Sequence, residues 1–220
     1  MTIPVPGKTQ VEEAQAHPVI DAAVSHGVQH FVFSSVDRGG ATSETSPTEI
    51  PHFASKHRIE QYLKEKTAGT KTRWTILRPV AFMDNLQPGF FGTMFPTAWS
   101  SALGDDKKLQ LISVHDIGVF AARVFEKPEE YKGRAISLAG DELTLPQAKE
   151  KFREVVGYEM PARFTFMGTA LLWMVKELGT MFRWFREVGY GADIPSLRKE
   201  VPELQDFGTW LSESSGFRKQ

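Results

Sequence analysis

The stretch GVQHFVFSSV, residues 27–36, decides the fold class. Its central part, His30 to Ser35, is short, aromatic and β-branched without clean alternation, which is typical of a strand covered on both faces. The preceding segment, Gln10 to His26, has the apolar content of a helix that is interrupted or restarted at Pro18, and Gly27 is placed to end that helix. Because helix, glycine and buried strand form the second half of an α/β unit, we expect a sheet with a parallel component.

Further elements of the same kind follow along the chain. Residues 37–51 are rich in Gly, Ser, Thr and Pro, and they form a predicted loop at the carboxyl end of the strand, where open α/β sheets bind ligands. We then predict a helix over His52–Lys66 and three strands, over Arg73–Leu77, Leu109–Val114 and Arg134–Ala139. A helix capped at Asp116 follows the second of these strands. A final helix begins at a capping box in Thr144–Gln147 and ends at Gly157. This order predicts an α/β fold with a smaller, mainly helical C-terminal lobe.

Two aromatic segments interrupt or follow this alternation. Residues 86–108 carry Phe90, Phe91, Phe95 and Trp99 among glycines and prolines. A long excursion of this type covers a binding cleft, and a surface loop whose aromatic side chains anchor in the core explains the pattern equally well. The second segment has apolar residues at helical spacing, which predicts a helix packed on the core; they are Leu171, Met174, Val175, Leu178, Met181, Phe182 and Phe185.

Charge and composition exclude several classes of function. The 26 Lys and Arg residues and 27 Asp and Glu residues leave a formal charge of −1, so the chain lacks the cation excess of a nucleic-acid binder. The absence of cysteine excludes disulfides, Cys-based metal sites and thiol nucleophiles. No signal peptide is visible in Met1–Gln10, and the longest apolar stretch, Thr169–Val175, is far shorter than the roughly 20 residues of a spanning helix. We therefore expect a soluble protein of the cytoplasm or nucleus that binds no membrane.

A histidine and a lysine share one face of the predicted helix after the loop. His52, Lys56, Ile59 and Leu63 fall within an arc of roughly 60° at 100° per residue. Near the ligand-binding edge, the lysine is a point cation for a ribose hydroxyl or phosphate, and the histidine can relay a proton near neutral pH. The spacing alone favours another interpretation, in which Lys56 extends to solvent and His52 is a first-turn residue with a satisfied hydrogen bond.

Other polar residues are weaker candidates. Ser34 and Ser35 end the first strand, where hydroxyls contact a ligand or, more commonly, satisfy loop amides. His115 and Asp116 are better explained by a helix cap than by a metal pair, since no further ligands cluster nearby in the sequence, and we expect no metal site. The 18 glycines include neither G-x-G-x-x-G nor G-x-x-x-x-G-K, and no hydrolase motif is present.

Five segments together resemble one known family. They are GVQHFVFSSV, HFASKHRIEQYL, WTILRPVAFMDNL, LISVHDIGVFAARVF and ISLAGDELTLPQAKEKFREVVG. In this order they closely resemble the NmrA-like family of the atypical short-chain dehydrogenase/reductase superfamily. The similarity extends from about Val11 to the end, including Gly189–Ile194 and Leu197 through Leu211.

The resemblance implies two parts arranged around a dinucleotide. Residues 1–140 would form a Rossmann-like domain that binds NADP or NAD, with residues 86–108 over its cleft, and residues 141–220 would form a lobe for a substrate or a partner. The implied activity is NAD(P)-dependent oxidation or reduction of a small organic substrate, for example a secondary metabolite. The alternative is a non-catalytic NAD(P)-sensing regulator that binds a protein partner.

The resemblance also implies roles for individual residues. Catalytic relatives use a Tyr-x-x-x-Lys pair; here Lys56 matches the lysine, which holds the nicotinamide ribose, and His52 stands at the tyrosine position. Either Ser34 or Ser35 lies near the family's serine. The stretch that lines the nicotinamide site in the family corresponds to Pro79, Val80, Ala81 and Phe82. Asn85 lies in the family's adjoining pattern without an implied role.

The chain departs from the family at its beginning. Family members start with a strand and a Gly-rich turn whose amides hold the pyrophosphate, and neither precedes Val11. Three βα units of roughly 30 residues each plus a strand would stand there in a complete member. We therefore expect a partial Rossmann-like sheet, incomplete burial of His30–Ser34, and pairing with a partner or a second copy through the exposed edge. Without the Gly-rich turn, dinucleotide binding could be weak or absent, and an inactive truncated paralogue is a further alternative to the oxidoreductase.

Overall fold

Three parallel strands form the central sheet of the computed structural model, which describes residues 9–162 and 176–217. In spatial order they are β1 (His30–Ser34), β2 (Arg73–Pro79) and, later in the chain, β5 (Ala135–Leu138). The parallel pairing on both sides of β2 confirms the predicted α/β fold class.

A second, smaller sheet continues from the end of β2. It contains β3 (Ala81–Phe82), β4 (Leu109–Ile112) and β6 (Asp141–Leu143), with β3 parallel and β6 antiparallel to β4. A single residue, Val80, separates β2 from β3, so the chain passes directly from one sheet to the other. Strands of two and three residues, as in β3 and β6, have too few positions to show a sequence period, and neither was predicted.

Helices cover both sheets. In chain order they are α1 (Thr9–Ser25), α2 (Pro51–Thr67), α3 (Phe90–Leu103), α4 (Val114–Glu126), α5 (Pro128–Tyr131), α6 (Leu145–Val156), α7 (Lys176–Glu187), α8 (Ile194–Glu200) and α9 (Phe207–Glu213). The predicted capping box is confirmed: the Thr144 hydroxyl and the Gln147 side chain satisfy each other's backbone amides at the start of α6. Gly157 ends α6 in the left-handed conformation, as predicted.

Two predictions about helices are wrong. Helix α1 runs through Pro18 without interruption, because Ala16 and Ile20 bury an apolar face that compensates for one lost backbone hydrogen bond. The interpretation of residues 86–108 as a surface loop is the second, because much of this segment is the helix α3, with Trp99 fully buried in the core. The role of the segment as a cover over the cleft stays a prediction.

The cap of α4 is also not the predicted residue. Ser113 is the N-cap, and its hydroxyl accepts a hydrogen bond from the His115 amide at 3.2 Å. Asp116 lies in the first turn, where its carboxylate is buried and accepts from the Gln205 amide at 3.0 Å. Because Ser113 already satisfies the helix end, Asp116 instead holds the segment before α9.

Burial of Asp116 gives the stability of the protein a specific pH dependence. Burial raises the pKa of Asp116 from 3.8 to about 6 in the folded protein. Between these two pH values Asp116 holds more of its proton in the folded protein than in the unfolded chain, so its own contribution to the free energy of unfolding falls as the pH rises and levels off above about 6. Urea unfolding at pH 4 and pH 7.5 measures this contribution as the difference between the unsubstituted protein and Asp116→Asn. We expect the unsubstituted protein to lose up to about 3 kcal/mol more stability than Asp116→Asn between the two pH values. The exposed Asp105→Asn is the control, and an identical pH dependence in Asp116→Asn and the unsubstituted protein would contradict the assignment.

Strand β1 forms one edge of the central sheet. Among the described residues it pairs only with β2, and His30, Phe31 and Val32 are half-buried. The expected incomplete burial is confirmed, whereas the prediction of a strand covered on both faces is wrong, since Ser34 is exposed and only Phe33 is fully buried. Pairing through this edge stays a prediction.

The main core joins the second, smaller sheet to helices from both halves of the chain. It contains aromatic side chains from widely separated elements, including Phe53, Trp99, Phe152, Phe182 and Trp210. The predicted stripe is confirmed at Leu178, Met181, Phe182 and Phe185, which pack in this core, whereas Leu171, Met174 and Val175 lie outside the described residues. No helix in the described ranges has the length and apolar character to cross a membrane.

Candidate active site

A cavity of about 200 Å³ opens where the two sheets meet, at the carboxyl ends of β1 and β2. Helices α2, α3 and α7 supply its other walls, and its lining is mostly apolar. The lining residues are Ser35, Val36, His52, Phe53, Lys56, Pro79, Val80, Ala81, Phe82, Asn85, Phe95, Met181, Phe185 and Tyr190. Every site residue predicted from the sequence except Ser34 therefore contributes to one cavity.

Lys56 reaches the cavity from the second turn of α2. Its Nζ donates to Glu12 Oε1 at 2.7 Å, and its side chain is only 16% exposed. Glu12, on α1, is 1% exposed, and its other oxygen accepts from the Ser55 hydroxyl at 2.7 Å. The interpretation in which Lys56 extends to solvent is wrong, because the buried Glu12 carboxylate holds the ammonium group inside.

His52 lies at the first turn of the same helix. Its Nδ1 is 2.6 Å from Glu177 Oε1 on α7, and its ring meets Phe53 edge-on with centroids 4.8 Å apart. A carboxylate on one ring nitrogen fixes the orientation of the imidazole, as in catalytic His–carboxylate pairs. His52 is therefore a fixed polar group in the cavity wall.

The two serines at the end of β1 lie in different environments. Ser35 is buried, lines the cavity and donates a short hydrogen bond to Glu60 Oε1. Ser34 is exposed and does not line the cavity, so its predicted cofactor contact is not supported. The physical reason is strand geometry, because successive side chains point to opposite faces.

Residues 79–82 form the apolar wall between the sheets. Val80 donates its amide to the Leu138 carbonyl at 3.1 Å, and the Pro79 carbonyl accepts from the Asp37 amide at 3.0 Å. These backbone bonds fix the crossing from β2 to β3. Phe82 is partly exposed at the mouth of the cavity, where Asn85 also lies exposed.

A buried ion network lies directly behind Ser35. Glu60 accepts from Arg38 Nη2 at 2.9 Å and from Arg78 Nη2 at 2.6 Å, and Arg78 also binds Glu44 at 2.9 Å. Burial acts to raise the pKa of Glu60, but the hydrogen bonds from Arg78 and Arg38 outweigh it and the pKa is lowered. Glu60 is thus a buried carboxylate with two arginine partners. Charged residues usually indicate a solvated surface, so the sequence carried no signal for this network.

Asp37 connects the loop after β1 to the segment before α8. Its carboxylate accepts from the amides of Gly40 and Gly191, each at 2.9 Å. The two glycines touch: a Cβ on Gly40 would lie 2.3 Å from the Gly191 carbonyl oxygen, and Gly40 has a φ of 63°. This contact brings Tyr190 into the cavity wall. Burial, and secondarily the charge of Asp37, raises the pKa of Tyr190 well above 10, so the phenol stays neutral.

Sequence reasoning missed three of these partners. Glu12, Glu177 and Tyr190 come to the cavity from distant elements, and no local pattern marks the two glutamates. The one available signal for Tyr190 was its place in the closing Gly189–Ile194 segment.

Comparison with known proteins gives one family. A model of the NmrA-like family matches residues 1–211. The nitrogen metabolite repression protein of Neurospora crassa is 32% identical over 164 residues, which are 70% of this chain and 32% of that protein. An NmrA-like family domain-containing oxidoreductase of Aspergillus flavus is 26% identical over 153 residues, 63% of this chain and 44% of that protein. The chain therefore spans a third to less than half of the length of these curated relatives.

Solved structures share the fold. A nucleoside-diphosphate-sugar epimerase from Staphylococcus aureus has a TM-score of 0.71 at 15% identity, covering 96% of this chain and 74% of that one. A Citrobacter triphenylmethane reductase complexed with NADP(H) has a TM-score of 0.68 at 16% identity, covering 97% and 74%. The negative transcriptional regulator NmrA in complex with NADP has a TM-score of 0.64 at 17% identity, covering 94% and 71%. These likenesses confirm the Rossmann-like α/β architecture.

Proposed function

The chain belongs to the NmrA-like family, and we propose that it is an NAD(P)-dependent oxidoreductase that acts on a small organic substrate. One observation carries the proposal: Lys56, His52 and residues 79–82 line a single cavity. These are the positions that correspond to the family's lysine, tyrosine and nicotinamide-lining stretch. Relatives named as an oxidoreductase and as a reductase support the same class of reaction.

The residues present fit the nicotinamide and ribose end of the dinucleotide. An apolar cavity of about 150 Å³ holds a benzene molecule, so the cavity of about 200 Å³ accepts one substituted aromatic ring. Its apolar wall at residues 79–82 suits the ring, and Lys56 at its edge suits ribose hydroxyls. Within residues 9–162 and 176–217 no Gly-rich turn at a helix start fits the pyrophosphate.

The side chains of the cavity divide the work of the reaction. When bound, the dinucleotide supplies or accepts a hydride. Lys56 Nζ would bind the ribose hydroxyls, and His52 would hold or release a proton at Nε2, the ring nitrogen that has no hydrogen-bond partner among the described residues. Glu177 orients that ring through Nδ1. The apolar wall keeps water away from the reacting atoms.

A substitution of His52 tests this division. We expect His52→Asn to lower kcat for NADPH oxidation about 100-fold or more, with an unchanged KM for NADPH, because only proton transfer is lost. The assay follows NADPH absorbance against a panel of quinones, aldehydes and cationic dyes. His57→Asn, on the same helix but outside the cavity, is the matched control. Turnover that is equal in His52→Asn and in the unsubstituted chain would rule out the proposed role.

A non-catalytic NAD(P)-sensing regulator is the second candidate. The observation that favours it is the Lys56–Glu12 ion pair, which already neutralises the cation that a catalytic site would direct at the ribose. The Neurospora relative is named as a repression protein, and such a role implies a protein partner. This candidate predicts that the folded chain binds NADP⁺, consumes no NADPH with any panel compound, and retains a protein partner in an NADP⁺-dependent pull-down. NADPH consumption that requires His52 would contradict it.

A further inference from the structure

The phenol of Tyr190 is a further polar group among the residues that line the cavity. The residue lines the cavity, and in the described part of the chain no group hydrogen-bonds to its hydroxyl. Its ring is fixed by an edge contact with Trp184, centroids 5.4 Å apart, and a tilted contact with Phe185 at 5.0 Å. A phenol in an apolar environment gains free energy from any acceptor that reaches it.

The backbone that carries Tyr190 is fixed on its far side. Gly191 donates its amide to Asp37 Oδ2 at 2.9 Å, and it lies against Gly40 so closely that a Cβ on Gly191 would be 2.6 Å from the Gly40 nitrogen. These contacts fix the backbone beside Tyr190. The phenol is held in place before any ligand arrives.

The other enclosed polar side chains around the cavity each have a partner already, although Lys56 keeps further N–H donors and His52 keeps Nε2 for the proposed reaction. Glu12 holds Lys56, and Glu60 holds the Ser35 hydroxyl. Glu177 holds one nitrogen of His52. Asn85 is exposed at the mouth rather than enclosed. Of the two enclosed hydroxyl groups, that of Ser35 already donates to Glu60, whereas that of Tyr190 is able to donate to a ligand.

We propose that Tyr190 is a ligand-binding residue whose hydroxyl donates a hydrogen bond to the carbonyl oxygen of an aromatic carboxamide or ketone seated in the cavity. The proposal deepens the proposed function and rests on it, because the nicotinamide ring carries such a carboxamide. The cavity volume of about 200 Å³ limits the enclosed part of the ligand to one ring with its substituent. The apolar walls bind the ring, and Tyr190 selects the carbonyl.

The experiment compares two probes of similar shape, benzamide and ethylbenzene, by NMR titration of the full chain. We expect Tyr190→Phe to weaken benzamide binding roughly 3- to 10-fold and to leave ethylbenzene binding unchanged, as for the loss of one neutral hydrogen bond. Tyr158→Phe, which removes a phenol outside the cavity, is the matched control and should alter neither affinity. Equal benzamide affinity in Tyr190→Phe and the unsubstituted chain, or no benzamide binding at all, would overturn the proposal.

A third titration, with NADP⁺, separates this proposal from the proposed function. Benzamide binding that depends on Tyr190, in a chain that does not bind NADP⁺, would support the role of Tyr190 and overturn the proposed dinucleotide site. NADP⁺ binding with benzamide affinity that is unaffected by Tyr190→Phe would support the dinucleotide site and overturn the role of Tyr190.

Discussion

Replacing Glu60 by alanine is expected to lower the free energy of unfolding by about 3–5 kcal/mol, the usual cost of removing one partner from a buried ion pair. Arg38 and Arg78 are nearly fully buried and donate to both oxygens of Glu60. Without the carboxylate, two guanidinium groups remain in the interior, and Ser35 loses its acceptor. Urea unfolding followed by tryptophan fluorescence measures the change.

The control for this variant lies on the same helix. Glu65 is exposed near the end of α2, so Glu65→Ala should change stability by no more than about 0.5 kcal/mol. If Glu60→Ala cost as little as Glu65→Ala, the network would not hold the loop after β1 to α2, and the position of Ser35 would need another explanation.

The second large effect concerns Lys56. Lys56→Met alone would leave the Glu12 carboxylate buried without its cation, so the informative variant is Glu12→Gln combined with Lys56→Met. We expect this double variant to bind NADP⁺ about 10- to 100-fold more weakly than Glu12→Gln alone, because one charge-assisted hydrogen bond to the ribose is lost. Titration calorimetry gives both dissociation constants.

A second lysine on α2 supplies the control. Lys66→Met removes an exposed cation near the end of that helix, away from the cavity, and should leave the dissociation constant unchanged. If the dissociation constant for NADP⁺ were the same in Glu12→Gln and in the double variant, Lys56 would not contact the dinucleotide.

The sequence was sufficient to predict the elements whose pattern is local. The run at His30–Ser34 showed a strand, and the i, i+4 relation of His52 and Lys56 placed both on one face of α2. The family resemblance left the choice between Ser34 and Ser35 open, and only Ser35 lines the cavity. These features depend on neighbours within a few residues, and such relations are visible in a single chain.

The remaining features depend on residues that are distant in the chain. Glu12 lies 44 residues from Lys56, and Glu177 lies 125 residues from His52. Nothing in the local pattern distinguishes these two glutamates from solvated surface charges, because burial is set by the packing of α1 and α7 on α2. The prediction of the α4 cap was wrong for a related reason. Asp116 was predicted as the N-cap from its residue type, but its carboxylate binds the backbone amide of Gln205, which lies 89 residues away.

The proposed function requires that the cavity between the two sheets receives the nicotinamide end of a dinucleotide. Titration calorimetry of the chain with NADP⁺ and with NAD⁺, after circular dichroism has shown that the protein is folded, measures this binding. We expect saturable binding of at least one of the two dinucleotides at one site, and we expect benzamide to compete with it. A folded chain that takes up neither dinucleotide, or that binds one without competition from benzamide, would contradict it.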